Sequence, residues 1–280
     1  MWVLVRGGLG NQMFQAALAL ALAKRFGVRP RFVDLTDRAR VQRGWQLDCF
    51  GMSPTTPMNS VLPAIEFGMS LANALRRIGG LSLPGVAIEN SLGELVEFSS
   101  PPLVLSGYWQ RAQYFEGYED DIRSHFRFPP TQPSIQIPTA AQAPKVAIHM
   151  RRGDYVTDPA AQIVHLVCND TWYRQAWCST QEAVPGAHGY VFSDDPDWAL
   201  ACLGPSSNLT YMPFSPNAHP SLDLALMAQC DHFIISNSSF SWWGAWLGRA
   251  ADKRVIAPRE WFRGRPTEAL GICPTDWLLL

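Results

Sequence analysis

The chain is poor in charge. Only 17% of its 280 residues are Asp, Glu, Lys or Arg, and the net charge is −1. A balance so close to zero excludes a globally basic nucleic-acid binder, though it leaves room for a local basic pocket. Cysteine is sparse and scattered: Cys49, Cys168, Cys178, Cys202, Cys230 and Cys273 include no C-x-x-C pair. That spacing argues against a zinc site or a disulfide framework and fits buried thiols in a reducing compartment. No apolar run approaches the roughly 18 residues that span a bilayer. Met1 to Gly8 has no basic segment ahead of an apolar stretch, so it does not read as a secretion signal. A cytoplasmic protein with at most peripheral membrane association is expected. Internal repeats are also missing.

What is abundant is apolar surface, 47% of residues, including eleven tryptophans. Most of these are best assigned to cores, with a few left for stacking on a sugar or base. Trp2 to Val5 reads as a buried strand, and Gly7-Gly8-Leu9-Gly10-Asn11-Gln12 as a loop opening a helix. Met13, Phe14, Ala17, Leu18, Ala21 and Leu22 then recur at helical spacing, with Gly27 as the stop. Weak strands are predicted at 31–33 and 103–105, a helix at 71–78 and a loop at 51–63. The proline-dense stretch Phe128 to Pro144 reads as a linker. It divides the chain into residues 1–143, an N-terminal lobe with the glycine-rich loop, and 144–280. In the second half, strands at 145–150, 190–192, 209–212, 232–235 and 255–257 alternate with helices at 172–182, 222–228 and 240–250. Such alternation predicts a parallel sheet. The fold class expected is α/β, two Rossmann-like lobes with a cleft between them.

Three predicted strand ends carry chemistry. The first is His149-Met150-Arg151-Arg152-Gly153-Asp154, an apolar strand breaking into two arginines. Open α/β sheets bind ligands at the carboxyl ends of strands, and paired guanidinium forks suit a diphosphate. Asp154 has three available roles: orienting an arginine, orienting His149, or acting as a base. The duller alternative is a charged loop in which Arg152 and Asp154 pair across solvent. The second is Ser193-Asp194-Asp195, where one aspartate can accept from the N1–H and N2–H₂ of guanine. Alternatively Asp195 caps a helix ahead of Pro196; a metal site is the least favoured option because adjacent side chains diverge. The third is Asn237-Ser238-Ser239-Phe240, where hydroxyls and helix-start amides can meet phosphate oxygens. Phe240, Trp243 and Leu247 share a helix face suited to core packing. No G-x-S-x-G elbow makes these serines nucleophiles. The Gly7–Gln12 loop departs from both the P-loop and G-x-G-x-x-G patterns. It serves either as an anion cradle or as a tight turn with Asn11 as the helix cap.

In this order, Gly7 to Gln15, Ser106-Gly107-Tyr108-Trp109-Gln110, His149 to Asp154, Phe192 to Asp195, Ser236 to Trp243 and Pro274-Thr275-Asp276-Trp277 closely resemble the bacterial α-1,2-fucosyltransferases of glycosyltransferase family 11. The resemblance implies a GT-B-like architecture, with lobe 1–143 on the acceptor side and lobe 144–280 binding the GDP-sugar. It implies inverting transfer of L-fucose from GDP-fucose to the 2-hydroxyl of a galactose in a glycan or lipid-linked oligosaccharide. No metal or other cofactor and no nucleic acid are implied. By the same resemblance Arg151 contacts the β-phosphate and, with Asp154, is catalytic. Gly8, Asn11, Gln12, His149, Arg152, Ser193, Asp194, Asp195, Asn237, Ser238, Ser239 and Phe240 line the donor site. The segment Arg38 to Leu81 does not align and is expected to shape the acceptor site. Two alternatives stand beside this reading: another GDP-sugar or fucosyl linkage, and a non-enzymatic carbohydrate-binding protein. The paired arginines and the serine segment disfavour the second.

Overall fold

The computed structural model describes residues 1–38, 44–56, 61–79, 83–89, 95–128, 137, 143–165 and 167–280. Contacts divide the chain into two units, Met1–Arg127 and Phe128–Leu280. The division falls at the start of the proline-rich stretch, upstream of the 143/144 boundary expected from composition. Ile137 accounts for the difference: it is buried, and its N–H donates to Gln229 Oε1 at 3.5 Å, tying that part of the stretch to the second unit.

The first unit is a four-stranded, wholly parallel sheet. Its elements are β1 (Trp2–Val5), α1 (Leu9–Phe26), β2 (Arg31–Asp34), α2 (Val61–Gly79), β3 (Val86–Ile88), β4 (Val104–Ser106) and α3 (Glu119–His125), with strand order β2-β1-β4-β3. α1 stops where its sequence says it should: Gly27 takes φ +66° and its N–H bonds Ala23 O. The loop expected at 51–63 gives way to helix from Val61, because Pro63 falls in the first turn, where its missing N–H has no intrahelical partner to lose. β3 and α3 are too short for their periodicity to announce them.

The second unit comprises β5 (Lys145–Met150), α4 (Gly153–Thr157), α5 (Pro159–His165), α6 (Asp170–Ala183), β6 (His188–Ser193), α7 (Pro196–Leu203), β7 (Leu209–Tyr211), α8 (Ser221–Met227), β8 (His232–Ile235), α9 (Ser239–Leu247), β9 (Val255–Ala257), the hairpin β10 (Glu260–Phe262) and β11 (Arg265–Pro266), and β12 (Leu278–Leu279). The main sheet runs β12-β9-β8-β5-β6-β7, and every pair in it is parallel. Counted from β5, with the hairpin left out, this is the 3-2-1-4-5-6 order of a dinucleotide-type fold. The order reverses between β5 and β8, so a crevice is expected above their carboxyl ends. Both units are thus parallel α/β structures, the class expected for each lobe.

The second core forms where Val146, Ile148 and Met150 of β5 meet Tyr173, Ala176 and Trp177 of α6, all buried. On α6 the spacing of Tyr173, Ala176, Trp177 and Thr180 makes one helix face. Seven of the eleven tryptophans are buried, four of them (Trp242, Trp243, Trp246 and Trp277) clustered on and beside α9. Core packing therefore explains most of that unusual count. At Gly189 in β6, a Cβ would lie 2.6 Å from Leu209 Cδ2 and 2.9 Å from Ile148 Cδ1. Gly189→Ala should overpack this core at a cost of about 1–3 kcal/mol. Its melting temperature should fall measurably; an unchanged value would contradict the packing.

Candidate functional site at the carboxyl ends of the sheets

The order reversal between β5 and β8 gathers three predicted segments along one sheet edge. Each is held by bonds that explain its residue types. Arg151 follows β5 and its Nη1 pairs with Asp194 Oδ2, beyond the end of β6. The second oxygen of Asp194 accepts the Arg152 backbone N–H at 2.8 Å. Arg152 turns the other way: its Nε donates to Asp195 Oδ2 at 3.0 Å and its Cζ lies 4.2 Å from the Trp198 ring centroid. The two adjacent cations thus each have a carboxylate, and the Arg152–Asp154 surface pair is not needed to explain the motif. Asp154 stands in α4, but its side chain lies outside the described residues. Gly153 is required for space, since a Cβ there would sit 2.6 Å from Asp194 Oδ2.

Asp195 is the cap of α7, as one sequence reading held: Oδ1 accepts the Trp198 N–H at 3.2 Å, with Pro196 opening the helix. Ser193 Oγ is engaged locally, donating to Met150 O and accepting the Asp195 N–H, both at 3.0 Å. Both aspartates offered to guanine therefore have protein partners. Their exposures differ: 12% for the Asp194 side chain against 39% for that of Asp195.

Above β8, Asn237 is buried, and its Nδ2 donates to His165 O at 2.9 Å and Trp261 O at 2.8 Å. Its carbonyl accepts the Tyr155 hydroxyl at 3.1 Å. Asn237 thereby fastens α5 and β10 to the end of the sheet. Tyr155 itself lies beneath Arg151, with the guanidinium carbon 5.7 Å from its ring centroid, and stacks on His165 at 4.8 Å. α9 begins at Ser239 without a side-chain cap, after the buried Ser238. It begins beyond the carboxyl end of β8, the neighbour of β5, and helix starts in such places are suited to holding anions. Phe240, at the helix start, packs against His149 with centroids 5.5 Å apart.

His149 is buried and its Nδ1 contacts Ser236 Oγ at 3.1 Å. Burial, reinforced by the neighbouring Arg151 charge, pushes its pKa down to about 3, so the ring is neutral at ordinary pH. Tyr155 and Trp198 were not singled out by the sequence, and Ser236 entered only as the first residue of a matching segment, with no role of its own. Their only signals are position: one residue past the R-R-G-D run, in the first turn after a cap, and one before Asn237.

Gly8, Asn11 and Gln12 lie at the end of β1 in the first unit. Gly8, not Asn11, is the N-cap of α1; the helix starts three residues earlier than an Asn11 cap requires. Gln12 is fully buried, donating to Gly7 O and Gly44 O at 2.8 and 2.9 Å and accepting the Gln46 N–H at 2.9 Å. Gln15 likewise braces the backbone of Arg6 and Asn11. These buried amides satisfy a loop that has few backbone partners of its own. Asn11 Oδ1 accepts from Gln110 Nε2 at 2.6 Å. Next to it Trp109 holds φ +57°, an unusual conformation for a bulky residue costing about 1–3 kcal/mol. Burial of its ring against Phe98 and Tyr114 holds it there.

The His149 shift has a definite sign. Between pH 6.5 and about 3 the unfolded chain takes up a proton that the folded one refuses, so this residue lowers stability on acidification and is neutral in effect above that window. From pH 7 to 5 the wild type should lose about 2 kcal/mol more stability than His149→Asn. Denaturant unfolding at the two pH values checks this; equal losses would contradict it.

Residues 88–266 match the sequence profile of Glycosyl transferase family 11. The chain is 28% identical to an alpha-1,2-colitosyltransferase of Escherichia coli, covering 97% of this chain and 96% of the relative. It is 26% identical to the galactoside alpha-(1,2)-fucosyltransferase 1 of Saimiri sciureus over 55% of this chain and 45% of that protein. Among solved structures it is similar to Bradyrhizobium NodZ, an alpha-1,6-fucosyltransferase soaked with GDP-fucose, at 13% identity and TM-score 0.44, covering 88% and 92% of the two chains. With the profile spanning well over half its length, the chain belongs to glycosyl transferase family 11, and it is a glycosyltransferase.

Proposed function

We propose that the protein transfers L-fucose from GDP-fucose, with inversion, to the 2-hydroxyl of a galactose in a glycan or lipid-linked oligosaccharide. The observation that carries this reading is the Arg151 guanidinium, fixed by Asp194 at the sheet's order reversal and accompanied by the uncapped start of α9. In the reaction the acceptor oxygen attacks the anomeric carbon and the bond to the β-phosphate oxygen breaks. Charge grows on that oxygen, so a pre-set guanidinium and helix-start amides stabilise the transition state more than the ground state. The proposal assigns this neutralisation to protein groups and includes no metal. Asp154 is the candidate base by motif; His149, neutral and buried, is an orienting group for the strand end. Guanine recognition falls to Asp195 in preference to Asp194, because the more exposed carboxylate can take up a base edge while Asp194 keeps Arg151 in place. Ser238 and Ser239 complete the proposed donor-binding set of the second unit, Ser193 and Asn237 acting through the backbone they hold. Six scattered cysteines, one of them exposed, support a reducing, cytoplasmic setting, and among the described residues no helix is long and apolar enough to cross a membrane.

A second reading is favoured by the colitosyltransferase relative: the donor sugar is colitose, which lacks the 3-hydroxyl of fucose. Assays with the two GDP-sugars and galactose-terminated acceptors, followed by linkage analysis, separate them. Arg151→Ala should lower kcat by on the order of a hundredfold or more, the usual cost of one transition-state contact of this kind. Arg151→Lys should also be poor, since an ammonium cannot reproduce the fork. Gly153→Ala, which crowds Asp194, should fold yet weaken GDP binding. Thermal stabilisation by GDP that Arg151→Ala and Gly153→Ala both retain in full would reject the assignment.

A further inference from the structure

The motif Ser106 to Gln110 has no part in the donor site just described, yet its backbone is among the most constrained in the chain. Trp109 alone among non-glycine residues of the described chain takes a positive φ. With the Trp109 ring buried, its neighbours point elsewhere: Tyr108 is 40% exposed, and Gln110 reaches back to Asn11. Glu89, just past β3, accepts the Tyr108 N–H on Oε2 at 2.6 Å, and its other oxygen has no protein partner among the described residues. Gly107 permits this approach, because a Cβ there would overlap the Glu89 side chain. From the end of β1, Arg6 Nη2 donates to Ser106 Oγ at 3.2 Å and its Cζ lies 5.4 Å from the Tyr108 ring centroid. The Arg6 Nε is buried and has no hydrogen-bond partner among the described residues.

These groups stand where the first unit's sheet changes direction. Its order is β2-β1-β4-β3, so the crevice expected above the reversal lies between the ends of β1 and β4, the strands that supply Arg6 and Tyr108. Among the described residues the inventory is one aromatic ring, a guanidinium with an unmet donor, a carboxylate with one unengaged oxygen and a pair of side-chain amides. A pyranose asks for that combination: its C–H face covers an aromatic ring while its hydroxyls meet planar donors and acceptors. Galactose suits it well, since the axial 4-hydroxyl leaves the C3, C4 and C5 hydrogens together on one face.

We propose that this sheet edge is a pyranose-binding platform for the terminal sugar of the acceptor, with Tyr108 as the stacking surface and Arg6, Glu89 and the Asn11–Gln110 pair as hydroxyl ligands. The assignment of the sugar as galactose rests on the function proposed above; the platform itself does not. Tyr108→Ala removes an exposed ring and Glu89→Gln is isosteric, so both variants should fold. Each should raise the acceptor KM about tenfold, the factor equal to one lost aromatic or polar contact. The KM for the GDP-sugar should stay unchanged, and Tyr108→Phe should restore the acceptor KM. Saturation-transfer NMR of the full chain with a methyl galactoside, without donor, should label H3, H4 and H5 most strongly, and Tyr108→Ala should abolish the labelling. If the wild type transfers nothing to galactosides, the proposed function fails. The NMR arm, run with a panel of methyl pyranosides, then decides the platform alone. No pyranoside labelled, labelling that survives Tyr108→Ala, or a rise confined to the GDP-sugar KM would overturn it.

Discussion

The site depends on one carboxylate. Asp194 takes the guanidinium of Arg151 on one oxygen and the backbone N–H of Arg152 on the other. Two arginines in succession at a strand end repel each other and have many rotamers to lose. A charge-assisted bond at largely buried groups fixes the first, and the backbone bond fixes the turn that separates it from the second. Arg152 is then free to lie on Trp198 and pair with Asp195, so that its charge braces α7. Remove Asp194 and both the direction of Arg151 and the path of the chain into α4 lose their anchor.

The fold supplies the place and the buried polar groups supply its rigidity. The 3-2-1-4-5-6 order brings the ends of β5, β6 and β8 to one edge, although the residues concerned are some 40 apart in sequence. Loops at such an edge have backbone groups that the sheet cannot pair. Here side-chain amides pair them: Asn237 in the second unit, Gln12 and Gln15 in the first. The same device thus appears at the sheet ends of both units, in each case beside the residues that face a ligand in the proposals above.

Much of this was legible in the sequence, and the reasons it was or was not are physical. Long periodic segments announced themselves, so α1, β5 and α6 lie close to where their apolar spacing put them. Strand ends were legible because an apolar run that stops at charged or hydroxyl residues leaves few other readings. The cap at Asp195 followed from Asp-Pro alone. What sequence could not supply was pairing between distant segments. That Arg151 meets Asp194, or that Asn237 faces His165 and Trp261, is decided by tertiary order and has no local signature. Short elements such as β3, α3 and the β10–β11 hairpin carry too few residues for periodicity to register. The alternative that made Asn11 the cap fails because glycine at the N-cap, one of three in the four residues before Asn11, leaves no side-chain signal.

A crystal structure of the full chain with GDP addresses the central claim most directly. The β-phosphate should lie within hydrogen-bond distance of the Arg151 guanidinium and the first-turn amides of α9, with the Arg151–Asp194 pair intact. A diphosphate bound away from Arg151, with that arginine still turned to Asp194, would contradict the account.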